Sequence, residues 1–137
     1  MALLAVLDDH GIEVFLPRCG LIEIAAASTR LANPSVSEEI CNEVETSFTL
    51  YPKIASQESA KKIALKEGCP GFDTYFLAVS EQNSIPLFTD DLGMHRICER
   101  RTILFLASAR YRSQICNSGS GIVRPLYYRM FELPHCE

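Results

Sequence analysis

Short apolar runs alternate along the chain with longer segments in which apolar residues recur at helical spacing. The runs "IEVFLP", "TLYPKI", "IPLFT" and "TILFLA" predict short strands, the second of them with a loop as the alternative. The periodic segments predict helices in "ALLAVLDDHG", "RCGLIEIAAASTRLA", "SVSEEICNEVETSF", "SQESAKKIALKEG", "PGFDTYFLAVSEQN" and "DLGMHRICER". Strands that alternate with helices are typical of an α/β fold with a largely parallel sheet.

Proline, glycine and capping residues mark the predicted boundaries of these elements. Pro17 ends the first strand, and Pro34 ends the helix that follows, because proline lacks an amide hydrogen and restricts the residue before it. Ser35 and Glu38 form a capping-box pattern at the start of the next helix. Gly68 stands just past a later amphipathic helix, which is the usual place for a glycine that ends one.

The composition indicates one globular domain. The chain has 137 residues, of which 47% are hydrophobic and 22% are charged, as in folded proteins with a core. No apolar run approaches the roughly 20 residues that span a bilayer. Asp8 and Asp9 interrupt the apolar start, which argues against a signal peptide. The expected location is therefore the cytoplasm. The six cysteines include no C-x-x-C pair, which argues against a zinc ribbon or a thioredoxin-like site and favours small buried side chains.

Charge is unevenly distributed along the chain. Residues 1–91 hold 14 acidic residues against 6 lysines and arginines, whereas residues 92–137 hold 3 acidic residues against 7 arginines. Such asymmetry suits an acidic site beside a basic surface that meets a polyanion. Ordinary scatter of surface charge explains it equally well.

Carboxylates follow the predicted strands, where an α/β sheet binds its ligands. Thr89, Asp90 and Asp91 end the apolar run "IPLF". Asp73 lies in the first turn of the preceding helix, and Glu23 lies in an apolar stretch of the helix after the first strand. Taken one at a time, these residues have plainer explanations. Asp73 could be an aspartate favoured by the helix dipole, Asp90 or Asp91 could be an N-cap, and Glu23 could be an exposed helix acid. Together, at the ends of successive α/β units, they indicate a shared acidic site.

The segment "GFDTYFLAVSEQNSIPLFTDDLGMHRI" resembles the second half of a PIN domain. That family has an aspartate opening a helix of the form D-x-x-x-L-A, followed by a short strand that ends in T-x-D. The earlier segment "VFLPRCGLIEIAAA" is similar to the family's strand ending in proline and its helix with a metal-site glutamate. The resemblance covers roughly residues 1–106 and is most specific at 72–97. It implies a three-layer α/β/α fold with a mostly parallel central sheet.

PIN domains are metal-dependent ribonucleases, and many are VapC-like toxins of type II toxin–antitoxin pairs. The resemblance therefore implies RNA cleavage with Mg²⁺ or Mn²⁺, a homodimer and an antitoxin partner. By position, it implies that Glu23, Asp73 and Asp91 are the catalytic metal ligands and that Asp90 assists them. Thr89 would hydrogen-bond within the site. The RNA contacts expected from this resemblance and the basic C-terminal part are Thr89, Arg96, Arg100 and Arg101. The arginines are equally suited to face solvent or an acidic partner.

The family's usual first strand, which carries another metal-site aspartate, has no counterpart in this chain. Asp8 and Asp9 fall in a predicted helix that aligns elsewhere. Residues 1–107 are therefore predicted to form a PIN-like domain that is incomplete at its N-terminus. Residues 108–137 are predicted to be a tail that supplies a strand or a dimer or partner contact. The alternative function is a catalytically inactive PIN-like module that binds protein or RNA. His95 is expected on an exposed helix face.

Overall fold

A computed structural model of the chain describes residues 9–107. The helices and strands follow one another in the order expected for alternating α and β elements. They are β1 (Phe15–Pro17), α1 (Gly20–Leu31), α2 (Pro34–Ser47), β2 (Thr49–Tyr51), α3 (Lys53–Glu67), α4 (Gly71–Asn83), β3 (Leu87–Phe88), α5 (Leu92–Arg101) and β4 (Phe105–Leu106). The predicted tail at 108–137 and most of the predicted first helix lie outside the described residues.

The strands pair in parallel. β1 lies beside β2, with Phe15 opposite Thr49, and β3 lies beside β4, with Leu87 opposite Phe105. Within residues 9–107 the two pairs are separate two-stranded sheets. The predicted α/β class with parallel strands is confirmed, and the described part is mostly helical. None of the helices between residues 9 and 107 combines the length and apolarity that crossing a bilayer requires.

One edge of β3 is open among the described residues. The amides of Leu87 and Thr89 donate to the carbonyl oxygens of Leu104 (2.8 Å) and Leu106 (3.0 Å), both of which lie in or next to β4. Successive residues of a strand direct their backbone groups to opposite sides. The amide and carbonyl of Phe88 therefore point to the edge that faces away from β4. The side chain of Phe88 is also 49% exposed.

Local hydrogen bonds explain where the helices begin and end. Asn33 caps α2, because its Oδ1 accepts from the amide of Val36 (3.0 Å), and Pro34 occupies the first turn. The capping box predicted from Ser35 is therefore wrong, since Ser35 already lies inside the helix. The predicted end of α3 is confirmed: Gly68 adopts φ = 65° and donates its amide to the helix.

The apolar core forms where α3, α4 and α5 meet β3. Ile63, Leu77 and Cys98 are fully buried, one from each helix. Six further residues complete this cluster, namely Ala60, Ala78, Leu87, Met94, Ile97 and Ile103. α4 is central to the fold, since it packs against α3 and contacts both β1 and β3. The two strand pairs therefore rest on the same helix.

The described cysteines are free thiols rather than disulfides. Cys19 and Cys98 are buried, and Cys41 and Cys69 are partly buried. Burial raises the pKa of the Cys98 thiol to about 11, so this side chain stays protonated at neutral pH. The expectation of small buried side chains is confirmed for Cys19 and Cys98.

Candidate functional site

A pocket of about 270 Å³ brings together the three carboxylates that the sequence singled out. Glu23 comes from the first turn of α1, Asp73 from the first turn of α4 and Asp91 from the residue that caps α5. The pocket is lined by Glu23, Asp73, Phe76, Leu87, Phe88, Thr89, Asp91 and Met94. The three carboxylates therefore share the pocket wall with apolar side chains from α4, β3 and α5.

Gly20 allows α1 to start close to β1 and α4. A Cβ atom at this position would lie 2.9 Å from Cδ1 of Leu16 and 3.0 Å from Cζ of Phe76, both closer than side-chain carbons normally approach. Glu23 lies in the same first turn of α1 as Gly20. The close approach at Gly20 therefore brings this turn next to α4, which carries Asp73.

Asp73 is half-buried, and its pKa lies above the usual range for an aspartate. Burial is the main cause, and the negative charge of Asp91 raises the pKa further. Among the residues that the structure describes, Asp91 is the charged neighbour that raises the pKa of Asp73, so these two carboxylates lie close enough to interact.

Asp91 serves as the N-cap of α5. Its Oδ1 accepts a hydrogen bond from the amide of Met94 (2.8 Å), and its own amide donates to Oγ1 of Thr89 (3.1 Å). The plainer explanation of Asp91 as a capping residue is thus correct, and the residue lines the acidic pocket as well. The hydrogen bond to Met94 uses one carboxylate oxygen, which leaves Oδ2 outside the cap.

The other predicted site residues have different surroundings. Asp90 is exposed and does not line the pocket. Arg96 is exposed on α5. Arg100 donates from Nε (3.1 Å) and Nη2 (2.8 Å) to one carboxylate oxygen of Glu67, on α3. That hydrogen bond is the main cause that lowers the pKa of Glu67.

Arg101 is largely buried and holds two helices to α5. Its Nη2 lies 2.9 Å from Glu81, on α4, and its Nη1 lies 3.6 Å from Glu67, on α3. The hydrogen bond to Glu81 is the main cause that raises the pKa of Arg101. Both Arg100 and Arg101 thus form ion pairs within the fold, and neither lines the pocket with Asp73 and Asp91.

His95 is the residue that sequence reasoning placed wrongly. It was expected on an exposed helix face, but only 4% of it is exposed. Its Nε2 lies 2.7 Å from the carbonyl oxygen of Thr89, and its ring stacks on Phe105. The signal for its burial was its spacing, since His95 stands three positions before the buried Cys98 on α5.

Replacing Asp73 with asparagine is expected to stabilise the metal-free fold at neutral pH. Because the folded-state pKa of Asp73 is raised, protonation favours the folded state below the ordinary pKa of 3.8, and that stabilisation is lost as pH rises through the folded-state pKa. Asparagine imitates the protonated form at all pH values. Urea unfolding in EDTA should show that the free energy of unfolding of Asp73→Asn rises relative to that of the parent protein between pH 3 and pH 7. A difference in free energy that stays constant over this pH range would contradict the prediction.

The carboxylates do not form a ready-made metal site. Between residues 9 and 107, no three side chains of His, Cys, Asp or Glu stand close enough together to hold a metal ion. Asp73 and Asp91 supply the paired oxygen donors, and Glu23 lines the same pocket without completing the set. The donor chemistry fits Mg²⁺ or Mn²⁺, which take hard oxygen ligands and keep several waters.

Comparison of the chain with protein-family models, with curated proteins and with solved structures finds no match. The function is therefore inferred from the site's geometry together with the motifs at residues 72–97.

Proposed function

We propose that this chain is a divalent-metal-dependent endoribonuclease of the PIN type. The observation that supports the proposal is the meeting of Glu23, Asp73 and Asp91 at one pocket, although they come from three different parts of the chain. The PIN motifs assign metal binding to these same positions. The sequence indicated that these residues share a site, and their position at one pocket supports the assignment.

A bound cation would relieve the repulsion between the carboxylates of Asp73 and Asp91. The negative charge of Asp91 repels the half-buried carboxylate of Asp73, as the raised pKa of Asp73 indicates. A bound Mg²⁺ or Mn²⁺ would supply an activated water and neutralise charge on the scissile phosphate. Asp73 and Asp91 would hold the ion, Glu23 would approach from the α1 side, and Asp90 would assist from the surface. The apolar side chains of Phe76 and Met94 would limit the entry of bulk water.

The proposal includes the three-layer α/β/α arrangement of the PIN family. In that family a further strand is central in the sheet and carries another metal-site aspartate. The open edge at Phe88 in β3 and the contact of α4 with both β1 and β3 are compatible with such a strand. In the family's arrangement such a strand would lie between the two pairs and its aspartate would add a donor, and no segment between residues 9 and 107 supplies it.

Removing the metal provides the direct test of the proposed function. The purified chain should cleave end-labelled single-stranded RNA in the presence of Mn²⁺, stop after addition of EDTA and resume when Mn²⁺ is added in excess. A Glu58→Gln variant, which removes an exposed acid on α3 that does not line the pocket, should cleave at the parent rate and serves as the control. Absence of cleavage with any divalent ion, or cleavage that EDTA leaves unchanged, would contradict the proposal.

The inactive binding module is the second candidate, and one observation favours it. No three metal-ligating side chains converge in the part of the chain that the structure describes. Calorimetry with Mn²⁺ separates the two functions, because a nuclease should bind the ion and lose that binding on Asp73→Asn. Binding should also raise the unfolding temperature of the parent protein and not that of the variant. Failure of the parent to bind Mn²⁺ would favour the binding module.

The toxin assignment belongs to the same proposal. As a toxin, the chain would be cytoplasmic, form a homodimer and be neutralised by an antitoxin protein. Expression of the chain alone should then arrest growth, whereas expression of the Asp91→Asn variant at the same level should not. Equal growth of both cultures would leave no support for the toxin role.

A further inference from the structure

The turn from Thr89 to Asp91 carries the Asp91 carboxylate into the pocket, and hydrogen bonds hold both of its ends. At the first end, the amide of Thr89 donates to the carbonyl of Leu106 in β4 (3.0 Å). Within the turn, Oγ1 of Thr89 accepts from the amide of Asp91 (3.1 Å). At the far end, Oδ1 of Asp91 accepts from the amide of Met94 (2.8 Å). The position of the carboxylate therefore depends on the shape of this turn.

His95 bonds to the turn at both ends. Its side-chain Nε2 lies 2.7 Å from the carbonyl oxygen of Thr89, and its backbone amide donates to the carbonyl of Asp91 (3.0 Å). A carbonyl oxygen only accepts hydrogen bonds, so Nε2 must carry the hydrogen in this contact. The Thr89 carbonyl precedes Asp90 directly, and its direction helps to set the path of the chain to Asp91.

The ring of His95 is itself fixed by packing. It stacks on Phe105 of β4, with ring centroids 4.4 Å apart and the planes inclined by 23°. Phe105 precedes Leu106, whose carbonyl accepts from Thr89. The same imidazole thus contacts β4 through its face and the turn through Nε2, while only 4% of the residue is exposed.

We propose that His95 is a positioning residue, which directs the Asp91 carboxylate into the pocket by holding the Thr89 carbonyl. It does not line the pocket and acts through the turn rather than on substrate or metal. Its consequence for catalysis rests on the proposed ribonuclease function, whereas its effect on the turn does not. Groups that orient metal ligands from outside typically change affinity or activity by 10- to 100-fold when they are removed.

Two substitutions separate the ring from its hydrogen bond. His95→Phe keeps an aromatic ring against Phe105 but removes the Nε2 donor. His95→Gln loses the ring but places an amide NH₂ where it can still donate to Thr89. If His95 only filled space, the phenylalanine variant would be the milder change. If it positions the turn, the glutamine variant is the milder one.

Amide hydrogen exchange by NMR provides a readout that does not depend on function. In His95→Phe, the Met94 amide, which Asp91 Oδ1 protects, should exchange about tenfold faster, while the core amide of Leu77 changes less than about twofold. In His95→Gln, Met94 should stay within about threefold of the parent protein. Unchanged Met94 exchange in His95→Phe, or equal exchange in both variants, would overturn the proposal.

RNA cleavage with Mn²⁺ adds the functional readout. The kcat of His95→Phe should fall about tenfold or more with little change in KM, and His95→Gln should recover most of it. If the parent protein cleaves no RNA but Met94 exchange responds as expected, the proposed function fails and the positioning role stands. If kcat falls while Met94 exchange does not respond, the positioning role fails and the ribonuclease function stands.

Discussion

Replacing Asp91 with asparagine is expected to lower RNA cleavage by about 10²- to 10³-fold while the protein stays folded, a loss typical of removing one group that stabilises charge in the transition state. Asparagine is as good an N-cap as aspartate, so its Oδ1 should still accept from the amide of Met94. The substitution therefore removes the negative charge and little else. Cleavage of labelled RNA at saturating Mn²⁺, together with the urea unfolding midpoint, measures the two effects separately.

A second substitution at the same position serves as the matched control. Asp91→Ala removes both the charge and the cap, so it should show the same loss of cleavage and an additional loss of about 1 kcal/mol in the free energy of unfolding. Cleavage by Asp91→Asn at the parent rate would contradict the role of Asp91 as a metal ligand. A fall in cleavage that follows unfolding in both variants would show that Asp91 acts only as a cap.

Local signals in the sequence were sufficient for the order of the elements and for grouping the three acids that line one pocket. Pro17 ends β1 and Gly68 ends α3 through properties of the residue itself, the missing amide hydrogen of proline and the freedom of glycine to adopt a positive φ. Glu23 and Asp91 could be grouped in advance because each comes shortly after a parallel strand, whereas Asp73 opens α4, which follows another helix. All three line one pocket.

Contacts between distant residues could not be obtained in the same way. Arg100 forms an ion pair with Glu67, 33 positions away in the sequence, and Arg101 forms one with Glu81, 20 positions away. Nothing near these arginines in the sequence distinguishes an internal ion pair from an exposed phosphate contact. His95 was placed wrongly for a related reason. Its helical spacing with Cys98 favoured a buried position, but histidine is polar and is usually buried only when it has a hydrogen-bond partner. That partner, the carbonyl of Thr89, is visible only in the structure.

The pairing of the strands shows the same limit. β3 and β4 each contain two residues, and β1 and β2 three, so side-chain alternation offers almost no register information. The apolar run that holds Leu87 and Phe88 indicated a buried strand, yet only Leu87 is buried. The helices connect the paired strands, α1 and α2 between β1 and β2 and α5 between β3 and β4, and α4 contacts one strand of each pair.

Replacing Leu77 with alanine is expected to reduce the free energy of unfolding by about 2–5 kcal/mol. Leu77 is completely buried in α4, one helical turn after Asp73, within the cluster shared by α3, α5 and β3. Alanine would leave a cavity there, because helices fixed by ion pairs such as Arg101–Glu81 can close it only in part. Urea unfolding should show a lower midpoint at an unchanged slope.

Two control variants keep this prediction testable even if Leu77→Ala unfolds, since the expected loss is a large part of the 5–15 kcal/mol typical of a folded domain. Leu77→Met conserves volume and should cost less than about 1.5 kcal/mol. Leu65→Ala removes the same atoms from a leucine on α3 that is 80% exposed, and should change stability by less than about 0.5 kcal/mol. Equal losses for Leu77→Ala and Leu65→Ala would mean that α4 does not form the core.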